Sequence, residues 1–107
     1  MAFSKADHYE AEEQKMGHYS AAFMHPARQR ILKQLKKEGM LTVLELNKQH
    51  PLSQPTLSEH LAGLRKAGLI KCDAAFPYSY YQIIMEEVAR ARKTMNAFFD
   101  ELEGKGL

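Results

Sequence analysis

Between Leu52 and Gly68 the chain places Gln54, Thr56, Ser58, Glu59 and His60 within seven residues. All five carry short or planar hydrogen-bonding groups, where a solvated helix of this size more often carries Lys and Glu. Such groups can reach base edges in the major groove of DNA, which is about as wide as a helix. The chemistry they suit is recognition rather than catalysis. Two bland readings stand beside it: a solvated helix with Ser and Thr as caps, and a His60 that packs beside Leu61 and Leu64 or caps a backbone carbonyl. Nothing in the chain reads as a nucleophile-base-acid set, a glycine-rich phosphate loop or a metal cluster, so an enzyme is not expected.

The elements that must present these residues follow from local signals. Ser53 can cap a helix, Pro55 is tolerated in its first turn, and Gly68 can take the left-handed closing position. Leu57, Leu61 and Leu64 recur at i, i+4 and i+7, which predicts one buried face. Upstream, His25-Pro26 opens a helix that Gly39 ends, with Ile31, Leu32 and Leu35 inward and Arg28, Arg30, Lys33, Lys36 and Lys37 outside. Thr42-Val-Leu-Glu45 is a capping box for a short helix whose apolar contacts come from Val43, Leu44 and Leu46, and Pro51 stops it. The two helices form a helix-turn-helix. Residues 69–73 and 78–84 are β-rich and separated by 74–77, which makes a hairpin, or wing, with no cation between Ala74 and Tyr78. Alternation puts Cys72 beside Ile70 as a small core residue, and Phe76, Tyr78, Tyr80 and Tyr81 are read as wing packing.

Two further helices flank this unit. Residues from about 6 to 24 look helical, favoured by alanines from Ala6 onward, with Met16, Tyr19 and Phe23 as an apolar stripe; residues 85–103 carry Val88, Ala91, Met95, Phe98 and Leu102 at spacings of 3, 4, 3 and 4. So short a seam docks better on the first helix and its symmetry mate than on itself alone. Met16, Tyr19, Phe23, Val88, Met95, Phe98 and Leu102 are therefore the expected homodimer interface. The fold expected is mainly α with a small antiparallel β-hairpin, a winged helix-turn-helix occupying residues 1–107 as one domain.

A chain of 107 residues with 45% hydrophobic side chains supports one modest core. A single cysteine excludes an internal disulfide framework. No apolar run approaches the roughly 20 residues needed to cross a membrane, and the N-terminus lacks a secretory pattern, so the expected location is cytoplasmic with no membrane partner. Residues 25–50 carry six Lys and Arg against two Asp and Glu, and residues 51–72 three against one, while both ends are mildly acidic. A polyanion would meet the middle. Arg28, Arg30, Lys33, Lys48, Arg65, Lys66 and Lys71 are candidates for phosphate, with Arg65 and Lys71 favoured beside Ser53 and Thr42, whose helix N-termini can face a phosphate. His8, His18 and His25 could join Asp7, Glu12 or Glu13 around a metal only through subunit pairing; solvated or interface histidines are the default.

The segments His25-Pro-Ala-Arg-Gln-Arg-Ile-Leu-Lys-Gln-Leu35, Leu52-Ser-Gln-Pro-Thr-Leu-Ser-Glu-His-Leu61 and Leu64-Arg-Lys-Ala-Gly-Leu-Ile70, with Tyr80-Tyr81, resemble the ArsR/SmtB family of bacterial winged-helix repressors over residues 25–84. The resemblance implies a homodimer bound to an inverted-repeat operator in double-stranded DNA, with repression relieved by an effector. It maps recognition onto Gln54, Thr56, Ser58 and His60. Glu59 departs from the Arg that relatives often carry, and the wing lacks their Gly and Arg. No Cys-x-Cys occurs in Leu41–Leu46, and no His follows His60, so neither common metal site of the family can be built. The expectation is a member without metal or other cofactor, whose effector the residues do not identify. The competing reading is a winged-helix protein-interaction module that does not read DNA sequence, motivated by Glu59, the uncharged wing and the acidic ends.

Overall fold

Pro26 divides the N-terminal part of the chain into two helices, because proline keeps the residue before it extended and then suits the first helical turn itself. In a computed structural model, which describes residues 8–75 and 77–105, these are α1 (Ala11–Met24) and α2 (Pro26–Glu38). His25 between them is extended, and its Nδ1 accepts the Ala27 amide at 3.0 Å. Then come β1 (Leu41–Thr42), α3 (Val43–Lys48), α4 (Gln54–Lys66), β2 (Ile70–Ala75), β3 (Tyr78–Ile83) and α5 (Met85–Leu102). The order is a helix-turn-helix, α3 and α4, followed by a hairpin and enclosed by terminal helices.

The hairpin is the outer part of a three-stranded antiparallel sheet in the order β1-β3-β2. Leu41 pairs with Tyr81 and Thr42 with Tyr80. The sequence reading has no strand at Leu41–Thr42, since two residues are too few to show alternation. The wing is also tighter than expected, because Ala74 and Ala75 continue β2 opposite Ser79 and Tyr78. α1 begins at Ala11 rather than near residue 6, with the Glu10 amide donating to the Glu13 carboxylate at 3.0 Å; Ala6, Asp7 and Phe76 lie outside the described residues.

The core is where the stripes meet. Ile31, Leu32 and Leu35 of α2, Leu46 of α3, and Leu57, Leu61 and Leu64 of α4 are all buried together with Leu41, Leu69 and Ile70. Each such leucine contributes roughly 1.5–3 kcal/mol by leaving water. Leu44 does not join them: it is 61% exposed, because a helix of six residues buries only one face. Val43 packs at the core's edge. Polar groups are buried as well. His50, in the turn between α3 and α4, meets Gln34 of α2 at 2.7 Å through Nε2 and Oε1, and burial together with Arg30 pushes its imidazole below the ordinary value.

Tyr19 departs from the sequence reading most clearly. It is 1% exposed within one chain, so it offers no area to a second subunit. Its hydroxyl donates to the Glu87 carboxylate of α5 at 2.8 Å. Lys15 of α1 reaches the same carboxylate at 2.8 Å and Arg90 of α5 at 3.0 Å. Lys15, Tyr19 and Arg90 hold Glu87 well below the usual carboxylate range, at about 2, against the desolvation that opposes them. Phe23, Val88 and Met95, also expected at the dimer interface, pack half-buried against the chain's own core.

The Glu87 cluster gives stability a pH dependence. Its folded value lies below the ordinary 4.5, so the contribution is complete above that value and is lost as pH falls toward 2. Glu87→Gln is expected to cost roughly 1–3 kcal/mol at neutral pH. In urea unfolding, the gap from the parent should narrow as acid protonates Glu87; a gap that stays constant would show that the charge of Glu87 is not what its partners hold.

Candidate nucleic-acid interface

α4 is oriented by its leucines. With Leu57, Leu61 and Leu64 turned into the core, Gln54, Ser58 and Glu59 are left exposed. Ser53 caps the helix: its Oγ accepts the Thr56 amide at 3.4 Å and donates to the Thr56 hydroxyl at 2.9 Å. Thr56 is half-buried and keeps its own hydroxyl proton for a partner outside. The five side chains expected to read bases therefore share a helix, but three stand in the open and two are engaged.

His60 is the second engaged residue. It is half-buried, its Nδ1 accepts from the Arg28 Nε at 3.1 Å, and its ring lies 4.4 Å from that of His25. Of the alternatives open for His60, packing describes its surroundings better than an outward reach. Arg28, expected outside on α2, turns inward: its Nη1 also donates to the Ala21 carbonyl of α1 at 3.1 Å. The guanidinium lies over Gly63, where an added Cβ would sit 2.6 Å from its carbon. The sequence does hold one signal for this approach, because glycine inside a helix costs about 1 kcal/mol relative to alanine and marks a close contact.

The phosphate candidates divide in the same way. Arg65 in the last turn of α4 and Lys71 on β2 of the wing are exposed, although Lys71 lies 3.9 Å from the Asp73 carboxylate. The Thr42 hydroxyl donates to the Glu45 carboxylate at 3.0 Å and accepts the Glu45 amide at 3.2 Å. The Thr42 backbone amide, which donates to the same carboxylate at 2.9 Å, and then its hydroxyl hold the Glu45 pKa below the ordinary value, so the α3 N-terminus already holds an anion. On the wing, Cys72 is half-buried opposite Tyr81; burial first, then Cys72, raises the Tyr81 hydroxyl, with Arg65 opposing. Tyr78 and Tyr80 pack edge to face with centroids 6.3 Å apart. Among the described residues, no three His, Cys, Asp or Glu side chains converge as metal ligands, and no helix is long and apolar enough to cross a membrane.

A helix-turn-helix with an exposed polar face on its second helix, followed by a β-hairpin, defines a winged-helix DNA-binding regulator. The chain belongs to the arsR family of bacterial regulatory proteins: the model of that family matches residues 25–71, and the members are transcriptional regulators, not enzymes. An uncharacterized HTH-type transcriptional regulator of Methanocaldococcus jannaschii is 33% identical over 75 residues, 70% of this chain and 84% of that protein. The fold matches an ArsR-like transcriptional regulator from Rhodococcus sp. RHA1 with a TM-score of 0.76 at 19% identity, over 88% of each chain. The transcriptional repressor BigR from Xylella fastidiosa matches with a TM-score of 0.62 at 26% identity, over 91% of this chain and 94% of that one.

α4 is joined to the wing through Gly68, whose φ is +78° and whose added Cβ would lie 3.2 Å from the Glu87 Oε2. Left-handed backbone disfavours a side chain by about 1–2 kcal/mol, and here the new methyl also presses on a bound carboxylate. Gly68→Ala is expected to lower stability by roughly 1–3 kcal/mol. Denaturant titration that finds no loss would mean the turn adopts another backbone conformation at no cost.

Proposed function

We propose that this ArsR-family regulator is a homodimeric repressor that binds an inverted-repeat operator in double-stranded DNA. Its single domain has 25–84 as helix-turn-helix and wing, with α1 and α5 as the dimerisation helices. The observation that carries this reading is the exposure of Gln54, Ser58 and Glu59 on the face of α4 opposite its buried leucines. Gln54 suits the paired donor and acceptor of adenine, and Glu59 suits the amino group of cytosine. Thr56 borders the same face, and His60 supports it from behind. Arg65, Lys71 and the capped N-terminus at Ser53 supply phosphate contacts, with Thr42 at the edge of that surface.

The dimer reading rests on apolar area left uncovered. Between α1 and α5 runs a groove lined by Met16, Ser20, Ala97, Phe98 and Leu102, and Phe98 and Leu102 remain 42% and 69% exposed. A second copy covering this groove would place two α4 helices in successive major grooves, with half-sites about 34–36 Å apart. The word repressor is supported by the likeness to BigR. With no thiolate in Leu41–Leu46 and no histidine beyond His60, the releasing signal is something other than the family's usual metals, and the protein acts in the cytoplasm.

Selection of bound duplexes from a random pool tests the reading. The expected result is enrichment of an inverted repeat by a dimer, with affinity falling steeply as salt rises because phosphate contacts release counterions. Gln54→Ala should then weaken the selected site by roughly 1–3 kcal/mol and relax preference at one base pair. A loss equal on all sequences would make Gln54 a backbone contact. A folded dimer that enriches no sequence would favour docking to protein through the same scaffold.

A further inference from the structure

We propose that Arg28 is a positioning residue for α4, and that its hydrogen bond to a neutral His60 makes operator affinity fall as the solution turns mildly acidic. The inference rests on the DNA-binding reading and adds to it a side chain that holds the reading helix without touching DNA.

Three independent contacts converge on one guanidinium. Its Nε donates to His60 of α4, its Nη1 donates to the Ala21 carbonyl of α1, and its plane covers Gly63 one turn beyond His60. Arg28 itself belongs to α2, so a single side chain fastens three helices. Gly63 is the space that lets it enter, since a methyl there would sit 2.6 Å from the guanidinium carbon. The leucines of α4 fix which face is buried, but apolar contacts are non-directional and leave small rotations inexpensive. A charge-assisted bond with set geometry restricts them. The residues Arg28 fastens lie between about half a turn and two and a half turns from Ser58 and Gln54, so a small rotation moves the reading side chains out of register with base edges.

The bond requires an unprotonated Nδ1, because that atom is the acceptor. A proton there removes the bond and sets a second cation against Arg28. His25 from the α1–α2 junction and His50 from the α3–α4 turn add to the opposition, and Glu59 on α4 alone favours the charge. Burial, His25 and Arg28 together hold the imidazole below its ordinary 6.5. The neutral form therefore belongs to the folded state: the arrangement is complete above that value and is lost as pH falls below it. General electrostatics has the opposite sign, since histidines that gain charge in acid strengthen attraction to phosphate.

The test measures affinity for a selected duplex at fixed ionic strength between about pH 7.5 and about pH 5. The parent should weaken about tenfold in acid, the loss of one charge-assisted bond. His60→Asn places a carbonyl oxygen where Nδ1 accepts and does not titrate, so its affinity, whatever its value at neutral pH, should show no acid decline. Arg28→Ala should weaken binding about tenfold at neutral pH while leaving the slope of log affinity against log salt unchanged. In the free protein, the Arg28 Nε–H resonance should titrate together with the His60 ring. A parallel acid decline in His60→Asn, a slope reduced by about one in Arg28→Ala, or an Arg28 resonance that ignores His60 would each overturn the inference while DNA binding stood. Failure to bind any duplex would overturn the DNA-binding reading, and with it the role given to Arg28.

Discussion

The burial of Leu57, Leu61 and Leu64 is the constraint on which the interface depends. All three are fully enclosed, and no rotation of α4 keeps them so while turning Gln54 or Ser58 inward. The polar face is thus defined by what lies behind it. The leucines reach Ile31, Leu32 and Leu35 of α2 and Leu46 of α3 in one cluster, so the helix that reads and the helices that support it share a core. This explains how so small a chain presents short side chains at fixed positions without strong local order of its own.

Apolar packing sets the face; two charged side chains set the angle. Arg28 fastens the middle of α4 to α1 and α2, and Glu87 lies against Gly68 just past its end while accepting from Tyr19 and Lys15 of α1. Both clusters therefore end on α1. That helix also lines the uncovered groove with α5, so the surface available to a second copy and the helix available to DNA are connected through Ala21, Tyr19 and the charges between them. A buried pair costs desolvation that an apolar pair would not, and its compensation is geometric definition. Here both clusters occur where two elements must keep an angle, not merely a contact.

Most of the framework was legible because it is written in local signals. Ser53, Thr42 with Glu45, Pro26, Gly39 and Gly68 mark the helix ends where they are found, and the leucine spacing foretold the face of α4. Boundaries without such a signal drifted, as at Ala11 and at the strand Leu41–Thr42. What the sequence concealed is non-local. Arg28 is 32 residues from His60 and Tyr19 is 68 from Glu87, and nothing about an arginine two positions beyond a proline says that it turns inward. Tyr19 fitted an apolar stripe equally well whether the stripe faced a partner or the chain's own core. Gly63 was the missed clue, a residue poor for a helix interior with no turn to justify it.

The distribution of charge bears on how such a regulator discriminates. Its net charge is +2, and the cations around α4 are unevenly placed: Arg65 and Lys66 stand exposed at its C-terminal end, while Arg28 is engaged internally, Lys71 lies near Asp73, and the described tip of the wing carries none. Attraction to phosphate is sequence-independent, so a protein rich in it binds everywhere on DNA and must overcome that background. Contacts to base edges must therefore supply the discrimination. Glu59 pushes further in the same direction, since its carboxylate is repelled by phosphate wherever it does not meet a cytosine amino group. On the reading proposed above, the exposed acid, which taken singly argues against DNA, penalises the wrong sequence, and the angle of α4 decides whether the right one is met.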